Sequence, residues 1–96
     1  MNTLNRDIDI TEEDVKWVNE QKELRRNLIT LIYKNQFQKR ENYLEFDEKI
    51  KTDKEFACAL EYLSMKGFIN RNGETKFSIT IEGIEFYESY VLVFGE

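Results

Sequence analysis

Phe56, Ala59, Leu60 and Leu63 recur at intervals of three and four, which lines one face of an α-helix, and Gly67 follows as a residue suited to end it in the left-handed conformation. Beyond Gly67 the period changes. Phe68-Ile69 begins an extended stretch, and Phe77, Ile79 and Ile81 alternate with Lys76, Ser78 and Thr80 in the period-two pattern of a half-buried strand. Between these stretches lies Asn72-Gly73, a pair that tolerates the two positive φ angles of a two-residue turn, so a tight hairpin is expected there. Thr80-x-x-Gly83 then opens a last amphipathic run over residues 81 to 94.

Upstream, residues 1 to 10 carry only scattered apolar positions and are expected to form a loose arm. Thr11 followed by Glu12, Glu13 and Asp14 reads as a helix start, with a hydroxyl cap and negative charge where the helix dipole favours it. Val15, Trp17 and Val18 give this N-terminal helix, residues 11 to 23, its apolar side. Leu24, Leu28, Ile29, Leu31, Ile32 and Tyr33 make a second amphipathic segment, ending near Gln36. The polar stretch 19 to 23 holds no proline or glycine, so one bent helix and two adjoining helices both fit. Tyr43-Leu44-Glu45-Phe46 suits a short strand pairing with the hairpin, Asp47 to Lys51 a short helix, and Thr52-Asp53 a turn and N-cap for the helix over Phe56 to Leu63.

The segment from Phe56 to Glu88 resembles the winged helix-turn-helix transcription regulators. Leu60, Leu63 and Lys66-Gly67-Phe68-Ile69 match the end of their recognition helix, and Ile79-Thr80 with Gly83 match the strand and helix after the wing. The resemblance covers residues 24 to 88, and the small size with helices at both ends looks most like the MarR- and PadR-type dimeric repressors. It implies one domain, mainly α with a small β-hairpin (α+β), its winged-helix core at 24 to 80 and extra N- and C-terminal helices. It also implies binding of double-stranded DNA through the third helix and wing.

Composition narrows the function classes. The chain has 96 residues, no histidine and a single cysteine, Cys58, so the commonest general base is missing and neither a zinc site nor an internal disulfide can be assembled. Without a glycine-rich phosphate loop or an imidazole to activate Cys58, no enzyme, metal or cofactor is expected. No apolar run approaches the roughly 20 residues of a membrane helix, and the lone cysteine fits a reducing cytoplasm. The net charge of −5 and pI near 4.9 oppose DNA binding, which draws much of its affinity from phosphate neutralisation. The distribution softens this: residues 24 to 78 hold 11 Lys and Arg against 8 Asp and Glu, a local balance of +3.

On the third helix, Thr52, Lys54, Glu55, Ala57, Cys58, Glu61 and Tyr62 are the side chains expected to face a major groove, a set poor in the Arg, Asn and Gln that read base edges best. Cys58 also reads as a core residue. Arg71, Asn72 and Lys76 on the wing serve phosphate contact or hairpin solubility equally well. Arg25-Arg26, Lys34, Lys39-Arg40, Lys49 and Lys51 read mainly as solvated faces. In the tail, Glu82, Glu85, Glu88 and Ser89 occupy a narrow stripe, which leaves Phe86, Tyr87, Tyr90, Val91, Leu92 and Phe94 on an apolar surface too wide for so small a core. A homodimer that covers it, together with the Trp17 helix, is expected. Two functions therefore stand: a homodimeric DNA-binding regulator, or a winged-helix module that docks a protein partner.

Overall fold

The computed structural model describes residues 9 to 94; the greater part of the expected N-terminal arm lies outside them. Its elements in chain order are α1 (Glu12–Phe37), β1 (Leu44–Glu45), a 3-10 turn (Glu48–Lys51), α2 (Lys54–Met65), β2 (Ile69–Arg71), β3 (Lys76–Ile79) and α3 (Ile81–Phe94). The protein is thus mainly helical with one small antiparallel sheet.

Local chemistry accounts for most boundaries. Thr11 accepts from the Asp14 amide while the Asp14 carboxylate accepts from the Thr11 amide, a complete capping box that stabilises the start of α1 by about 1 kcal/mol. From there α1 runs unbroken through residues 19 to 23 and across the expected junction at Leu24, because nothing in that polar stretch interrupts the ladder. Asp53 caps α2 through the amides of Glu55 and Phe56. Gly67, at φ +79°, ends it: the Phe68 amide returns to the Leu63 carbonyl and the Gly67 amide to Ser64. Asp47 to Lys51, expected as a short helix, forms only a 3-10 turn, since few residues separate β1 from the Asp53 cap.

The sheet order is β1-β3-β2. Ile69 pairs with Ile79, Asn70 with Ser78 and Arg71 with Phe77, and on the other edge Leu44 pairs with Phe77. The hairpin is present, but its turn is not the expected two-residue one: neither Asn72 nor Gly73 has positive φ, and Asn72 to Thr75 separate the strands. Tertiary ties hold this wider loop. The Phe46 amide donates to the Thr75 carbonyl, Thr75 is buried, and the Asn72 carboxamide accepts from the Ser78 hydroxyl. Ile81, which the alternation would also allow in the strand, opens α3 as the run over 81 to 94 implies, and is exposed.

The core joins Leu28, Ile29 and Ile32 of α1 to Ala59, Leu60 and Leu63 of α2, with Ile50, Ile69, Phe77 and Ile79 completing it. Leu31, expected on the apolar side of α1, is 51% exposed, because Leu28 and Ile32 already occupy the face turned to α2. α3 is fastened at its start: the Thr80 hydroxyl donates to the Gly67 carbonyl and accepts from the Gly83 amide. Further along, the Tyr33 hydroxyl donates to Glu88 at 2.6 Å.

That hydrogen bond to the carboxylate, reinforced by burial and by the charge of Glu88, raises the Tyr33 phenol above its ordinary 10.0. The neutral phenol is favoured in the fold, so its contribution is complete below pH 10 and is lost as pH rises through the raised value. Tyr33→Phe is expected to cost about 0.5–1.5 kcal/mol at neutral pH and to reduce the extra fall in melting temperature above pH 10. Thermal melts of both proteins from neutral to strongly alkaline pH check this; parallel profiles would exclude it.

Candidate functional site

The sequence-derived DNA-facing residues fall into separate places. Thr52 is exposed at the end of the 3-10 turn, Lys54 and Cys58 are exposed on α2, and Cys58 is therefore not the core residue that its apolar neighbours suggest. Ala57 is half-buried and lines, with Arg71 and Lys51, a crevice between α2, the 3-10 turn and the hairpin. Asn72 is exposed, and Lys76 lies on the β1 side with its ammonium 5.0 Å from the Tyr43 ring centre. Tyr62 turns instead toward α1, under the Arg25 guanidinium at 3.9 Å.

Around the crevice the charges are partly matched. Lys51 meets Glu48 at 2.9 Å and Glu74 at 2.7 Å, ties that raise its pKa and lower that of Glu74. Because Glu74 is held as the anion, this tether of the hairpin loop to the 3-10 turn persists at neutral pH and is lost as acid protonates the carboxylate. The Arg71 guanidinium sits 5.0 Å from the Phe77 ring centre, leaving its polar edge toward solvent and the Glu74 carbonyl.

The apolar surface divides in two. Residues 12 to 20 of α1 are exposed on every side, including Val15, Val18 and Trp17, the last at 55%. At the other end, Val91, Leu92 and Phe94 of α3 are exposed, Leu92 at 85%. Tyr87 belongs to neither surface: its ring lies 4.4 Å from that of Tyr33 and packs on the core. Phe86 is partly covered by stacking on Phe68 at 4.6 Å, and Tyr90 is half-buried beside Phe94.

Between α1, α2 and α3 lies a groove of about 430 Å³ that no single stretch of sequence announces. Lys22, Arg25, Arg26 and Lys66 line it, with Tyr62, Phe68, Phe86 and Tyr90 as aromatic walls. No carboxylate lines it, and among the described residues none of these four cations forms an ion pair. The Arg25 Nε is buried without a hydrogen-bond partner. Comparison with known proteins found no matching family, curated protein or solved structure.

In the sequence Arg25-Arg26 reads mainly as a solvated run, Lys66 enters only through the match to the end of a recognition helix, and Lys22 carries no assignment. A signal was present: Val15, Val18, Lys22, Arg25, Ile29 and Ile32 alternate intervals of three and four, a seam pattern with two cations at positions usually apolar. Among the described residues no group of His, Cys, Asp or Glu is arranged to hold a metal, and no helix is long and apolar enough to cross a membrane.

Proposed function

We propose that this chain is a winged-helix DNA-binding regulator that acts as a homodimer, presenting α2 and the β2–β3 hairpin to a duplex. The observation that carries the reading is the strand order β1-β3-β2, in which a short strand from before α2 closes against the strand returning from the hairpin. That arrangement braces the hairpin at its root while Asn72 and Glu74 in its loop stay exposed. Lys54 at the first turn of α2, with Arg71 and Lys76 on the hairpin, supplies the phosphate contacts. Glu55 and Glu61 repel phosphates, although a carboxylate accepts from a cytosine amine, so α2 contributes little base selection.

Titration of a fluorescent duplex tests this. With three phosphates neutralised, affinity is expected to fall roughly 40-fold between 50 and 200 mM salt, and Lys54→Ala/Arg71→Ala/Lys76→Ala is expected to flatten the salt slope by about 2–3. Absence of binding at low salt, or binding indifferent to salt, would remove the proposal. A second reading, a module that docks a protein, is favoured by one observation: Lys51 is already matched by Glu48 and Glu74 beside an α2 that exposes Glu55 and Glu61. Partner capture that survives nuclease treatment, without duplex binding, supports that second reading.

A further inference from the structure

We propose that the basic groove between α1, α2 and α3 receives the acidic first turns of α1 from a second copy of this chain, and that the exchange is reciprocal about a two-fold axis. The inference deepens the homodimer of the proposed function and rests on it, but not on contact with DNA.

The groove's chemistry specifies an anionic, partly apolar occupant. Four cations unpaired among the described residues face it in a chain whose net charge is −5, and aromatic rings form the rest of its wall. An aromatic wall lowers the local polarisability that water would offer, so a carboxylate brought there is attracted more strongly than on an open surface. The buried, unpartnered Arg25 Nε adds a donor with nothing in its own subunit to bond.

The matching segment is in the same sequence. Asp9, Glu12, Glu13 and Asp14 put four carboxylates within six positions, followed by Val15, Trp17 and Val18, and all of these residues are exposed. Its own groove is out of reach. Lys22, Arg25 and Arg26 stand on the same unbroken helix, and a straight α-helix rising about 1.5 Å per residue cannot fold its first turns back over its third and fourth. Satisfying the groove with this segment therefore requires another molecule.

An antiparallel partner meets the requirement with one geometry. When two α1 helices cross about Val18, positions equidistant from it come level: Asp14 with Lys22 and Ile10 with Arg26 of the second copy, and the same pairs again in reverse. The three-four alternation through Val15, Val18, Lys22 and Arg25 supplies a seam for such packing, and it ends at Ile29, which the core of its own subunit already buries. Each copy thereby covers the exposed valines of the other, sets Asp14 level with Lys22, and brings Glu12 and Asp9 within one position of Arg25 and Arg26.

Sedimentation equilibrium on the full chain tests the exchange, with two variants that leave the Thr11–Asp14 capping box intact. Asp9→Lys/Glu12→Lys reverses the acids that approach the groove, and Lys22→Glu/Arg25→Glu/Arg26→Glu reverses the groove. The native chain is expected to dimerise and to weaken as salt rises. Each variant alone is expected to lose at least about tenfold in dimer affinity, and an equimolar mixture of the two is expected to recover it as a heterodimer. Circular dichroism reports folding. If the groove variant does not fold, the acidic-segment variant decides alone, because its changes lie on exposed positions.

A native monomer overturns the exchange and the homodimer together, while salt-dependent duplex binding by that monomer would leave the DNA reading standing. A dimer unchanged by reversal of the acidic segment, or a mixture that stays monomeric, overturns the exchange alone and assigns the interface to the α3 tail. Benzoate binding that depends on Lys22 and Arg25 in a monomeric chain would give the groove to a small anion instead.

Discussion

Phe77→Ala is expected to remove about 3–5 kcal/mol of stability, the cost of emptying a fully enclosed aromatic site. Phe77 is 0% exposed and sits where the sheet and the helices meet: its backbone pairs with Leu44 on one side and Arg71 on the other. Its ring lies 6.0 Å from that of Phe46 and belongs to the cluster that holds Leu28, Ile32 and Leu60. Small domains are stable by only about 5–15 kcal/mol in total, so the variant is expected to be largely unfolded at moderate temperature. With each kcal/mol worth about 4–8 °C at this size, the melting temperature is expected to fall by roughly 12–40 °C. Phe77→Leu, which keeps much of the volume, is expected to lose less than half as much. Chemical denaturation of the three proteins measures the losses, and a loss below about 1 kcal/mol for the alanine variant would contradict the central packing role.

Gly83→Ala is expected to destabilise by about 3 kcal/mol even though the same exchange in an ordinary helix interior is favourable by about 1 kcal/mol. An added Cβ at Gly83 would stand 2.1 Å from the Phe68 carbonyl oxygen and 2.8 Å from the Ile79 side chain. The carbonyl cannot give way cheaply, because it accepts the Thr80 amide and stands at the entry to β2. α3 must therefore shift away from the hairpin, loosening the Thr80 cap and the stacking of Phe86 on Phe68. Gly73→Ala is the control: its added carbon meets only the Lys76 side chain at 3.6 Å, with no backbone in the way. Equal melting temperatures for the two alanine variants would show that the close approach at Gly83 carries no energy.

Features governed by a few neighbouring residues were legible. The Thr11–Asp14 box, the Asp53 cap, the Gly67 stop and the alternation of Phe77 with Ile79 each follow from chemistry within about four positions, where backbone and side chain meet regardless of the rest of the chain. Features set by distant neighbours were not. Asn72-Gly73 carried the signature of a tight turn, yet the Phe46–Thr75 hydrogen bond and the Lys51–Glu74 pair hold a wider loop. Cys58 sits among apolar residues in sequence and outside the core in space. Tyr87 has the composition of an interface residue and is engaged by Tyr33, 54 positions earlier in the numbering.

The candidate site followed the same division. Lys54, Arg71 and Lys76 were recognisable as cations on the expected helix and hairpin, but their distribution over separate faces depends on how the hairpin leans on β1. The groove stayed hidden because Lys22, Arg25, Arg26 and Lys66 are each unremarkable on a helix surface; only the approach of α2 and α3 to α1 gives them a common aromatic floor.

Short-range hydrogen bonding and apolar periodicity, which act between close neighbours, were enough to place α2, α3, the Thr11 and Asp53 caps and the hairpin strands, and left α1 open between one helix and two. The tertiary structure alone decided the sheet order, the loop at Asn72 to Thr75, the projection of the first turns of α1 and the basic groove beside them. Those depend on which surfaces exclude water together, and that is a property of three packed helices rather than of any one stretch of chain.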